Sequence, residues 1–304
     1  MKNKKLLGNS LLLFTAMIWG TAFVFQRVGM ESIEPVTFNA ARMALAAVFV
    51  GSVSFLLWKK EKKSASPART AEEQRRYSRN TVIGGVCCGC FLSAASILQQ
   101  MGLVYTTAGK AGFITAMYIL LVPITGSLLF RKRNTWLVWL AVLFGVAGMY
   151  FLCITEEFRL SHGDTLICLC ALFFTFHILC CDHFAPRGDP IRISAIQFAT
   201  ATVISAVAAA VFETPTPEKI ASALVPILYC GLVSGGIGYT LQIVAQKYTD
   251  PTIASLLMSM ESVFAMIAGT VLLGEQMTAR ELTGCLIMFV AIVLVQIPLP
   301  KRNH

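Results

Sequence analysis

Residues 98–130 read LQQMGLVYTTAGKAGFITAMYILLVPITGSLLF, and residues 241–273 read LQIVAQKYTDPTIASLLMSMESVFAMIAGTVLL. Leu98-Gln99 and Tyr105-Thr106 of the first stretch return as Leu241-Gln242 and Tyr248-Thr249, at a constant offset of 143. Ala111 falls on Ala254, Met117 on Met260 and Gly126 on Gly269 at the same offset. An echo at fixed spacing marks a chain built from two similar units. Each copy runs on into a long apolar segment, so each unit is too apolar for water and is read as packing against its mate in a bilayer.

Working outward, a second register appears. Gly8 falls on Gly163, Leu11 on Leu166, Ala16 on Ala171, Pro35 on Pro190, Ala40 on Ala195 and Ala44 on Ala199, at an offset of 155. The two offsets differ by 12, which puts about 12 extra residues in the first unit, and the charged segment 59–80 is where they fit.

Composition agrees with a membrane chain. Of 304 residues, 56% are hydrophobic and 13% are charged, about half the charged share of a soluble domain. Apolar runs of spanning length predict ten helices: 6–26, 36–58, 81–101, 111–130, 135–154, 163–181, 191–212, 221–245, 252–273 and 279–297. The first run has no small-residue cleavage site after a short apolar core, so it reads as an uncleaved span. Segment 59–80 reads as a flexible loop. The fold expected is all-α and integral to the membrane, with ten transmembrane helices in two inverted five-helix repeats, 6–154 and 163–297. Five spans is an odd number, so the second unit must lie upside down relative to the first.

The net charge of +9 would suggest nucleic acid in a soluble protein, but here it follows the membrane. With the amino terminus inside, the inner segments hold nineteen Lys and Arg residues and the outer ones five: Arg27, Lys110, Arg159, Lys219 and Arg280. That bias predicts both termini in the cytoplasm and no nucleic-acid partner. The ten cysteines all fall within or beside apolar segments and read as small packing residues. No metal or cofactor is expected.

Ionisable and polar groups at membrane depth are the candidate site. Glu261 is the tenth residue of its run, roughly 14 Å in, near the midplane. A carboxyl there serves proton coupling or binds a cationic group, or else is a protonated or arginine-paired group that helps hold the halves together. Tyr118 is its repeat mate and suits a cavity wall. Arg42, near the outer end of the second span, either meets a substrate anion, pairs with Glu261 or snorkels outward. Gln99 and Gln242 either line a cavity or bond between helices. His177 either relays protons or bonds a neighbouring carbonyl. Trp19 faces substrate, or lies in the interfacial belt. Tyr239 completes the candidate set. Gly84-Gly85 and the glycine-rich stretch 234–238 permit close helix approach or a local break.

Taken in order, several of these residues resemble a known family. Trp19-Gly20, Arg42, Leu98-Gln99 with Tyr105-Thr106, and Leu273-Gly274-Glu275 after the ninth span are similar to the pattern of EamA-type members of the drug/metabolite transporter superfamily. The resemblance covers residues 6–297. The chain departs from it at Phe130-Arg131-Lys132, where the family often has a second Gly-Glu, and at Ser262, where many members have proline. What the resemblance implies is a plasma-membrane secondary transporter for export or uptake of small metabolites such as amino acids, sugars or nucleotide derivatives, read here as an exporter of a small metabolite such as an amino acid. Its mechanism would be alternating access around a midplane cavity lined by spans one, three, four, six, eight and nine. An exporter of lipophilic cations is the alternative. The essential carboxylate of small multidrug members lies in the first span, and none is found there in this chain. A membrane enzyme or receptor is a third reading, and no Gly-rich phosphate loop supports ATP-driven transport. A homodimer is left open.

Overall fold

The computed structural model describes residues 2–63, 70–105, 108–131, 134–153, 161–273 and 278–296. All regular structure among them is helical. Eight helices are long and apolar enough to cross a bilayer, and Trp136–Phe151 and Leu282–Leu294 are shorter apolar helices. Together they make the ten spans of a multi-pass membrane protein. The spans are Lys2–Gly29, Pro35–Lys63, Ala71–Leu103, a fourth in two pieces (Ala108–Ala116 and Tyr118–Phe130), Trp136–Cys153, His162–Phe184, Pro190–Phe212, an eighth ending at Gln246, a ninth in two pieces (Pro251–Met258 and Glu261–Leu273), and Ala279–Gln296.

Helix ends follow the sequence offsets. Tyr118–Phe130 and Glu261–Leu273 are both 13 residues long and start at equivalent positions. Trp136–Cys153 and Ala279–Gln296 are both 18 residues and coincide at both ends under the same offset. Pro35 opens the second span and Pro190 the seventh. Proline suits the first helical turn because its missing N–H is unpaired there anyway.

The charged segment 59–80 differs from expectation. The second helix continues to Lys63, and the third begins at Ala71, well before the bilayer run. Thr70 and Glu73 form a reciprocal capping box: Glu73 N–H donates to Thr70 Oγ1 (3.2 Å) and Thr70 N–H to Glu73 Oε2 (2.9 Å). Two otherwise orphan donors are satisfied, which starts a helix in polar sequence. Thr106, Gly274, Glu275 and residues 297–304 lie outside the described residues.

Apolar side chains lie on the outside as well as in the core, and polar ones are buried among them. Leu128, Val271 and Phe212 are among the most exposed side chains, on lipid-facing surfaces, while Thr15, Asn39, Ser93, Gln100 and Gln197 are fully buried. The fifth and tenth spans pair closely, and the third packs on the sixth and seventh. At Gly148 an added Cβ would lie 2.6 Å from Met288 Cγ and 2.8 Å from the Gly284 carbonyl. Small residues allow this approach, and van der Waals contact rather than hydrophobicity holds helices together in lipid. Gly84-Gly85 follow the close-packing reading, pressed against Phe184 and Ile196. The stretch 234–238 instead lies in a widened, π-helical segment, Tyr229–Tyr239, within the eighth span. Such segments are rare and often mark functional sites.

Candidate functional site: a polar cavity between the halves

The fourth and ninth spans each break at a methionine, Met117 and Met260, in a tight turn. Each break ends where the next helical piece begins, at Tyr118 and at Glu261. The first span approaches at Gly20, whose missing Cβ leaves room for the Glu261 carbonyl and the Ala265 N–H, both 2.6 Å from the position a Cβ would take. This brings Trp19 of the first span, Tyr118 and Glu261 to one place.

Tyr118 Oη donates a 2.9 Å hydrogen bond to Glu261 Oε1, and both residues are buried. Arg42 is buried as well. Its Nε donates to Asn39 Oδ1 (3.0 Å) and its Nη1 to Gln26 Oε1 (3.2 Å). Asn39 in turn donates to Ser205 Oγ of the seventh span (3.0 Å). The guanidinium is therefore held in orientation by the first and second spans and braced from the seventh. Its charge is not cancelled by Glu261: among the described residues no ion pair joins the two. Arg42 is therefore neither the partner of Glu261 nor directed outward, while the Tyr118 bond makes Glu261 a link between the halves.

Arg42 and Glu261 share a cavity whose central free volume is about 30 Å³, room for about two water molecules. All eight residues singled out from the sequence line it: Trp19, Arg42, Gln99, Tyr118, His177, Tyr239, Gln242 and Glu261. Arg42 adds the second span to the six expected around it. Gln99 Nε2 donates to Thr115 Oγ1 at 3.3 Å. Gln242 Nε2 donates to Gln246 Oε1 at 3.1 Å, and its own Oε1 has no partner. Trp19 Nε1 donates to the Ser234 carbonyl of the widened segment at 3.2 Å, so the indole is anchored inward rather than in the interfacial belt. Tyr239 stacks obliquely on Trp19 with ring centres 4.5 Å apart. His177 Nε2 lies 2.8 Å from Gln197 Oε1, a side-chain partner rather than the carbonyl expected.

Gln26, Thr115, Phe23 and Phe174 also line the cavity and were not singled out from the sequence; so does Ser234, which heads the glycine-rich stretch. Gln26 had a signal: it is a polar residue closing an apolar run, two helical turns after Trp19 and on the same helix face. Thr115 is a small polar residue of a kind common in spans and carried none.

Ten helices in two halves around a buried polar cavity define the architecture of a secondary transporter. Residues 6–154 and 161–297 both match the EamA-like transporter family, and the chain belongs to that family. It is 28% identical over 299 residues to a protein of Archaeoglobus fulgidus named an uncharacterized transporter, covering 97% of this chain and 87% of that one. It is 23% identical over 298 residues to the uncharacterized transporter YoaV of Bacillus subtilis, covering 96% and 97%. A solved crystal structure superposes with a TM-score of 0.74 at 16% identity, over 95% of this chain and 96% of the other, and shares the fold. Family and relatives indicate a transporter rather than an enzyme.

Proposed function

We propose that the protein is a secondary transporter of a small zwitterionic metabolite of the amino-acid class, exported across the plasma membrane by alternating access, with both termini cytoplasmic. The observation that carries this reading is the joint presence of Arg42 and Glu261 on the wall of one buried cavity without an ion pair between them. An isolated buried charge is costly, and a ligand carrying a carboxylate and an ammonium offsets both at once. The guanidinium fork takes the carboxylate; Glu261 takes the ammonium in competition with the Tyr118 hydroxyl. Gln242 Oε1, unpartnered in the lining, accepts a further N–H. The cavity is far smaller than a metabolite, so the bound state requires the halves to move apart, as rocking of one repeat against the other would do.

The aromatic lining of Trp19, Tyr239, Phe23 and Phe174 favours a lipophilic cation as the second reading. Arg42 counts against it, because a cation there meets a fixed positive charge. Ligand-induced thermal stabilisation separates the two. The zwitterion reading expects stabilisation by free amino acids and none by their N-acetyl or methyl-ester derivatives. Stabilisation by quaternary amines alone would replace it with the second reading.

A further inference from the structure

Cys88 of the third span and Cys181 of the sixth bring their sulfurs to 3.8 Å in the interior. His177, one turn before Cys181, holds Nε2 3.7 Å from the Cys181 sulfur. The three donor atoms all lie within 4.8 Å of one another, and all three residues are buried. We propose that Cys88, His177 and Cys181 form a binding site for zinc or a similar thiophilic divalent cation, joining one half of the molecule to the other.

Tetrahedral zinc at about 2.3 Å from sulfur and about 2.0–2.1 Å from nitrogen sets sulfur–sulfur edges of about 3.8 Å and sulfur–nitrogen edges of about 3.6 Å. The Cys88–Cys181 and Cys181–His177 separations match those edges, and the third pair lies within 4.8 Å; binding displaces Gln197 Oε1 from His177 Nε2. The charge balance suits a low-dielectric interior. Each thiol gives up its proton to bulk water, the two thiolates cancel the 2+ charge, and the imidazole stays neutral. The His177 proton moves from Nε2, where Gln197 Oε1 now holds it, to Nδ1. Two protons are released per metal bound.

Two further observations point to the same site. His177 Nδ1 and Gln197 Nε2 are buried and have no hydrogen-bond partner, so the polar bonding around this cluster is incomplete as it stands. The repeat supplies the other. Gln197 occupies the position equivalent to Arg42, and Cys181 the position equivalent to Gln26. Where one half carries a permanent cation held by Gln26, the other half presents neutral donors suited to an acquired one. His177 also lines the central cavity, and metal on Nε2 turns Nδ1 into a fixed donor.

Cobalt(II) titration of the purified full-length chain in detergent, under a non-chelating reductant, tests this. Expected are thiolate-to-cobalt charge-transfer and tetrahedral ligand-field bands that saturate at one metal per chain, vanish on adding zinc, and accompany release of two protons. Cys88→Ser and Cys181→Ser each abolish the charge-transfer band or weaken binding about tenfold or more, whereas Cys168→Ser, an exposed thiol of the same span as Cys181, leaves it intact. Absence of thiolate bands in the wild type, or bands indifferent to Cys88→Ser and Cys181→Ser, overturns the site. If either serine variant fails to fold, X-ray absorption on the cobalt-loaded wild type decides: two sulfur scatterers support the site, and an all-oxygen or all-nitrogen shell refutes it.

Discussion

Tyr118 and Glu261 are related by the internal repeat, and they hydrogen-bond to each other, Oη to Oε1 at 2.9 Å across 143 residues of sequence. Equivalent residues of two inverted units touch only near the axis that relates the units. This bond therefore marks the pseudo-two-fold axis, and the cavity around it lies where the halves meet. The asymmetry is chemical: one half supplies a phenol, the other a carboxyl.

Glu261→Gln keeps the side-chain shape and removes the charge. If the carboxylate meets a substrate ammonium, the loss is about 1.5–3 kcal/mol, and exchange falls about tenfold or more. Tyr118→Phe removes only the hydroxyl; exchange persists, and stability drops by about 0.5–1.5 kcal/mol. Transport and thermal unfolding of the two variants, measured side by side, distinguish these roles.

Arg42→Lys tests orientation rather than charge. Lysine cannot reproduce bonds from Nε to Asn39 and from Nη1 to Gln26 at once. Inhibition of exchange by an amino acid is expected to weaken about tenfold. Inhibition unchanged by the substitution argues against a carboxylate contact at Arg42.

Gly20→Ala should be costly and Gly51→Ala should not. At Gly20 a Cβ would meet Ala265 N, the Glu261 carbonyl and Phe264 Cβ, all at 2.6 Å, and overpacking of this kind costs about 1–3 kcal/mol. At Gly51 nothing lies within 4 Å, and helix propensity favours alanine by up to about 1 kcal/mol. Thermal unfolding in one detergent compares them; a Gly20→Ala variant as stable as the wild type would contradict the close approach of the first and ninth spans.

Outside the bilayer, Glu34 and Lys219 form an ion pair between the two halves. The Lys219 ammonium is the main reason the Glu34 carboxyl titrates below its ordinary value. A lowered folded value means the pair stabilises above the ordinary glutamate range, about pH 4.3. That contribution is lost as pH falls through the folded value. Both side chains are about one-third exposed (30% for Glu34 and 36% for Lys219), which limits the effect to about 1 kcal/mol. Lys219→Ala should lower the unfolding temperature at neutral pH, with the gap to wild type closing by about pH 3; a gap independent of pH would mean that packing, not charge, is lost.

Much of this was legible in the sequence because bilayer physics writes it there. Unbroken apolar runs mark the spans, and two constant offsets mark the repeat, down to the equivalent starts of Tyr118–Phe130 and Glu261–Leu273. Rare polar residues at depth pointed to the cavity lining, since burying them elsewhere is too costly. Four features were not legible. The breaks at Met117 and Met260 carry no proline or glycine signal at the break itself. The helix beginning at Ala71 was masked by its charge, although Thr70 and Glu73 announce its cap. The separation of Arg42 from Glu261, and the convergence of Cys88 with His177 and Cys181, depend on how helices rotate about their axes, which apolar periodicity fixes poorly in a span apolar on most faces.

The most direct test is counterflow in proteoliposomes, with labelled amino acids, sugars and nucleotides, for wild type, Glu261→Gln and Arg42→Ala. The account predicts saturable exchange of amino acids in the wild type, reduced about tenfold or more in each variant. Exchange of sugars or nucleotides alone, or amino-acid exchange untouched by both substitutions, would contradict it.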